Sequence, residues 1–183
     1  MNYFQFIFQD WKINKGNTKG RIILLLFRIA NFCTKKKIYY YWGIPYLVFY
    51  KILVEWFFSI EIPWKVQIGK DFILYHGQAL VINDRVVIGK NCTIRQSTTI
   101  GNKILQDGSS SASPVLGNNV DVGSNVCIIG DIYIKDNVKI GCGAVVTKNI
   151  SGNCIVVGNP AVEKRKSPDN QSEVKNVIVE SEN

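Results

Sequence analysis

The chain has 183 residues, 46% hydrophobic and 20% charged, with one histidine, five cysteines and a formal net charge of +8. That composition is globular and leaves room for one domain plus a smaller appendage. A single histidine excludes a three-histidine zinc site. The basic balance argues weakly for nucleic acid, because no recognised reading module is present and the positive charge lies mostly in an apolar segment.

Residues 1–58 hold nine Lys and Arg against two acids and read as helical, with apolar stretches at 21–30 and 44–60. The first stretch is shorter than the roughly 20 residues of a bilayer span, and the second holds Lys51 and Glu55 one turn apart. Neither is expected to cross a membrane. No charged, apolar and cleavable segments occur in the order of a secretory signal. Two compatible roles are expected for this region. One is a helical cap over the open end of a repeat array. The other is peripheral attachment to an anionic inner membrane leaflet through Lys35, Lys36, Lys37, Arg21, Arg28 and the aromatics clustered between Tyr39 and Phe58.

Residues 59–166 carry a different signal. An aliphatic residue recurs every sixth position at Ile62, Ile68 and Leu74, then at Ile82, Ile88, Ile94 and Ile100, and again from Leu116 through Val122, Ile128, Ile134 and Ile140 to Val146. Six is neither a helical period nor simple strand alternation. It predicts a β-solenoid, with short strands meeting at regular corners and stacking coil on coil. Gly, Asn, Asp and Lys follow the aliphatic position, as turns require. The fifth position is small or branched (Cys92, Thr98, Val120, Val126, Val138, Ala144) and suits a tight inner layer. Residues 102–114 interrupt the beat and read as a flexible loop. Residues 167–183 are polar, aperiodic and expected to be disordered.

The cysteines form no C-x-x-C pair and are odd in number, a reduced cytoplasmic pattern. Cys92 occupies an inner slot and is expected to pack rather than react. His76 lies off the inward position, immediately before the one place where the beat slips by two residues. A break in an otherwise smooth repeat, beside the single imidazole, is where a pocket can be built.

The stretches Glu61-Ile62-Pro63-Trp64-Lys65-Val66-Gln67-Ile68-Gly69, Leu74-Tyr75-His76-Gly77-Gln78-Ala79-Leu80-Val81-Ile82 and Gln96-Ser97-Thr98-Thr99-Ile100-Gly101 resemble the hexapeptide-repeat acyltransferases. The branch they resemble holds the serine O-acetyltransferases and the acetyltransferases of capsule and colanic-acid polysaccharides. The resemblance spans about residues 59–165 and closes on Val157-Gly158-Asn159-Pro160-Ala161. It implies a left-handed parallel β-helix, a homotrimer, and acetyl-CoA in the groove between subunits, with no metal. It further implies that His76 is the general base and that Glu61, at a position usually Asp, orients the imidazole. Small residues Gly101, Ser124 and Cys142 would admit the pantetheine arm, and Lys103, Lys139 and Lys148 are candidates for the phosphates.

Two departures bear on the acceptor. Serine acetyltransferases carry an acid just before the histidine and an Arg-His pair late in the loop, where this chain has Tyr75 and Ala112-Ser113. Tyr75, Gln78, Asn83 and Gln96 offer neutral partners and an aromatic face, which suit a sugar. The expected activity is O-acetylation of a sugar hydroxyl in a surface polysaccharide or its precursor, in the cytoplasm or at the inner face of its membrane. Serine O-acetylation and a non-catalytic solenoid scaffold remain the competing readings.

Overall fold

A computed structural model describes residues 2–165; the expected disordered tail at 167–183 lies outside the described residues. The six-residue beat becomes a three-sided coil. The first coil comprises β1 (Ile60–Glu61), β2 (Gln67–Ile68) and β3 (Ile73–Tyr75), and the second β4 (Leu80–Ile82), β5 (Val87–Ile88) and β6 (Thr93–Arg95). The third comprises β7 (Thr99–Gly101), β8 (Val115–Leu116) and β9 (Asp121–Val122), and the fourth β10 (Cys127–Ile129), β11 (Tyr133–Ile134) and β12 (Lys139–Ile140). The last holds β13 (Val145–Val146) and β14 (Cys154–Val157), and β15 (Val162–Arg165) folds back on β14 in an antiparallel hairpin.

Like strands stack in parallel. The first sheet runs β1-β4-β7-β10-β13, the second β2-β5-β8-β11, and the third β3-β6-β9-β12-β14-β15. Each sixth-position aliphatic points inward and is buried, from Ile62 at 0% to Ile68 at 9% exposed, and Cys92, Thr98 and Ala144 fill the inner slots beside them. Burial raises the Cys92 thiol, in keeping with a packing role. One corner carries Asn91, Asn119, Asn137 and Asn153, all in the left-handed region that asparagine tolerates. Their amides bond in a ladder at 2.8, 2.9 and 3.0 Å, fastening coil to coil.

The N-terminal region forms α1 (Tyr3–Ile7), α2 (Thr18–Cys33) and α3 (Lys37–Tyr50), the last running on as a π-helix over Lys51–Phe57. An end coil presents backbone carbonyls with no further coil to pair them, and unpaired buried groups are costly. The helices and the turn between the first two supply side-chain donors to that rim. Asn14 reaches the Phe72 carbonyl, Asn17 reaches Leu74, Asn31 reaches Trp64 and Val66, and the buried Tyr50 hydroxyl reaches Ile62. Apolar residues Ile23, Leu24, Phe27, Leu47 and Val54 join one continuous core with the coil interior.

Arg28 corrects the expectation that it faces a membrane. It is 1% exposed, paired with Asp10 at 2.7 Å, and donates to the carbonyls of Ile68 and Gly69. Asp10 in turn accepts from the Phe72 amide. The reason is positional: Arg28 lies on the buried face of α2 with Leu24 and Phe27, where only full pairing makes a guanidinium tolerable. The interruption at 102–114 is likewise more ordered than a free loop. An Ile104–Ser110 antiparallel bridge closes it, and Ser111 and Ser113 are buried at its base.

Candidate active site

The slip in the repeat is a structural insertion at one corner. Tyr75 pairs with Arg95, whereas the corner between the second and third coils returns to the first sheet two residues sooner. The added length lets residues 76–79 bulge outward, with His76, Gly77 and Ala79 all at positive φ. The Gly77 amide donates to the Tyr75 carbonyl at 2.8 Å, so His76 is the central residue of a γ-turn. Its φ of 64° lies in the left-handed region, as does that of Ser97 at the matching corner of the next coil, and histidine is among the residues that adopt it more readily. Gly77 is required there, because a Cβ would meet Ile60 Cδ1 at 3.1 Å on a backbone at φ 75°.

His76 is exposed and lines an open cleft of about 420 Å³ with Tyr75, Arg95 and Gln96. Clefts of several hundred Å³ suit small ligands. The Arg95 guanidinium sits 5.6 Å from the Tyr75 ring centroid and is tied to Asp121 and to the Val122 carbonyl. Gln96 Oε1 is buried and has no hydrogen-bond partner among the described residues. Arg95 was not among the residues singled out from sequence. The signal was available, since counting one lengthened coil onward from Tyr75 lands on it.

Glu61 lies elsewhere. It is exposed on β1 and lines a second cleft of about 460 Å³ with Val81, Asn83, Asp84, Gly101 and Asn102. This cleft is at the far end of the first sheet from the His76 corner, because β4 runs from that corner toward Asn83. No hydrogen bond from a described residue reaches the His76 or Glu61 side chain. Within one protomer the two are not brought together.

The other candidates divide along the same two edges. Tyr75, Gln78 and Gln96 stand with His76, and the Gln78 carbonyl accepts from Ser97 in the next coil. Beneath Gln96 on that corner, Asn125 donates to the Gln96 carbonyl and Gly143 to the Ser124 carbonyl. Ser124 also hydrogen-bonds the exposed Cys142 thiol and lowers its pKa. Asn83 and Gly101 stand with Glu61; Asn83 accepts from the Ser113 hydroxyl at 2.8 Å. Lys103 follows Gly101, its stem beside Gly130, and Lys148 occupies the turn after β13. Lys139 stands apart on the third sheet, in register with Asp121.

No protein-family model matches the chain. It is 38% identical over 157 residues to WcaB of Escherichia coli strain K12, a candidate colanic acid biosynthesis acetyltransferase, covering 84% of this chain and 95% of that one. It is 36% identical over 102 residues to a serine acetyltransferase of Synechococcus elongatus, covering 56% of this chain and 41% of that one. The fold is similar to soybean serine acetyltransferase as apoenzyme, with TM-score 0.74 at 22% identity over 87% of this chain and 68% of that one. The same enzyme complexed with serine gives TM-score 0.73.

Proposed function

This chain belongs to the hexapeptide-repeat acetyltransferases, and from that membership we propose that it transfers acetyl from acetyl-CoA to a hydroxyl of a sugar in a surface polysaccharide or its precursor. The observation that carries the reading is His76, held at positive φ on an inserted corner beside a cleft with Tyr75 and Gln96. Acetyl-CoA brings a thioester already activated for attack, so an acyl-enzyme is unnecessary. The neutral imidazole takes the proton of the acceptor hydroxyl as its oxygen bonds to the thioester carbon. The C–S bond then breaks, and the imidazolium returns a proton to the departing sulfur.

A carboxylate is needed to hold the imidazole tautomer and offset its developing charge. Glu61 serves in an assembled ring. A cyclic oligomer joins two different patches of each subunit, one edge against the opposite edge of the next. The His76 corner and the Glu61 cleft are two such edges of one sheet. In a homotrimer each active site then combines His76, Tyr75, Gln96, Ser124 and Cys142 of one subunit with Glu61, Asn83, Gly101 and Lys103 from its neighbour. Lys139 and Lys148 remain candidates for the CoA phosphates.

Replacing His76 by Ala is expected to cost about 10²- to 10⁴-fold in turnover while oligomer size and CoA binding are kept. Undiminished thiol release from acetyl-CoA would remove His76 from the mechanism. Serine acetylation is the competing reading, favoured by the serine acetyltransferase relatives. Among the described residues the His76 cleft of a protomer is lined by no carboxylate to hold an ammonium group, and the neighbour's Glu61 is engaged with the imidazole, so free serine is expected to be a poor acceptor.

The basic aromatic N-terminal face supports peripheral contact with an anionic membrane surface. Tyr41, Trp42, Trp56 and Phe57 are 68%, 82%, 70% and 76% exposed, and the exposed Lys35, Lys36 and Lys37 stand at the start of α3, within a turn or two of Tyr41 and Trp42. No described helix is long and apolar enough to cross a membrane, so the fit is to an interface.

A further inference from the structure

We infer that the acceptor carries an oxyanion, a carboxylate or a phosphate, and that Arg95 is the residue that selects it. The inference rests on the His76 cleft being the acceptor site and names the class of sugar that site takes.

Arg95 ends β6, and its side chain is 32% exposed at the cleft. Its Nη1 alone makes the bonds to Asp121 and, at 2.9 Å, to the Val122 carbonyl. Those two partners belong to the next coil and hold the guanidinium in place. Nε and Nη2 meet no acceptor among the described residues. A held planar cation with unspent donors matches the paired oxygens of a carboxylate or phosphate, a geometry a neutral hydroxyl does not require. Asp121 offsets part of the charge but takes only one nitrogen, so the remaining N–H groups stay available.

Three neighbours complete a recognition set. The Tyr75 ring offers a face for the apolar side of a pyranose. Gln96 lines the cleft, but its Oε1 is turned into the protein and finds no partner among the described residues, so its carboxamide must swing outward to take a ring hydroxyl. His76 faces the reacting hydroxyl. An acidic sugar satisfies all four side chains together, whereas a neutral sugar leaves the guanidinium edge unused.

The test is thiol release from acetyl-CoA by the full chain with three acceptors: methyl β-glucuronoside, glucose 1-phosphate and methyl β-glucoside. At least one charged acceptor is expected to exceed the neutral one in kcat/KM by about tenfold or more; which one does separates a carboxylate from a phosphate. Arg95→Gln is expected to erase that preference chiefly by raising KM for the charged acceptor, with a smaller loss on the neutral sugar. Arg95→Lys, which keeps charge without the fork, should fall between them. Equal use of charged and neutral sugars by the wild type would overturn the inference alone and leave sugar acetylation standing. Equal loss on all acceptors in both variants would do the same, by assigning Arg95 to holding the coils together. Release with serine and with no saccharide would overturn the sugar reading itself, and this inference with it.

Discussion

His76 owes its position to two added residues and to Gly77 beneath it. A side chain at Gly77 must be accommodated at φ 75° against Ile60 and Leu74. Gly77→Ala is therefore expected to cost about 1–2 kcal/mol from the left-handed backbone and to lower turnover by displacing the imidazole. Thermal melts and thiol-release assays of one preparation check both effects. Glu55 shows a different residue-scale effect. Burial raises its carboxyl pKa, Lys51 opposes the rise and the Glu61 charge adds to it. Between the ordinary carboxylate value and the raised one the folded state binds more protons, so stability falls as pH rises through that window. Glu55→Gln should flatten this dependence and melt no lower than the wild type at neutral pH, as denaturant titrations across the acidic range would show.

Among elements, α2 does the most to finish the first coil. Its Arg28 joins Asp10 to two rim carbonyls in a site closed to water. Asp10→Asn leaves the guanidinium without its counter-charge and is expected to destabilise by about 3–5 kcal/mol, measured by urea unfolding. Asn31→Leu removes donors from the Trp64 and Val66 carbonyls and should cost about 1–3 kcal/mol. The exposed aromatics of α3 and its π-helical extension stand outside this scaffold. A triple replacement of Trp42, Trp56 and Phe57 by Ser should leave the fold intact and reduce sedimentation with phosphatidylserine vesicles. Unchanged sedimentation would confine the helices to capping.

At the scale of the molecule, the division of candidates between two edges makes a quantitative claim. Chains carrying His76→Ala and chains carrying Glu61→Ala should each be weak alone. Mixed in equal amounts before assembly, they should recover about a quarter of wild-type activity, because random neighbours in a ring place an intact His76 against an intact Glu61 that often. Mixtures as inactive as the separate variants would put both residues' work within one subunit.

The solenoid was legible because its cause is local and periodic. Each aliphatic from Ile62 to Val146 faces inward for the same reason, so six-residue spacing was enough to read the coil and the insertion beside His76. The helical character of the N-terminal region was legible from its apolar stretches, but not which of its side chains meet the carbonyls of the first coil. What only the tertiary structure decided was which distant residues meet. Arg28 reads as a surface cation until α2 lays it against Asp10 and the coil rim. Arg95 reads as one more strand-end charge until stacking sets it beside Tyr75 and Gln96. Glu61 and His76, fifteen positions apart in a familiar spacing, stand at opposite ends of one sheet. Sequence periodicity specifies where a side chain points on its own coil; the pairing of charges depends on register between coils and on contacts between elements, and these are settled only when the chain closes on itself.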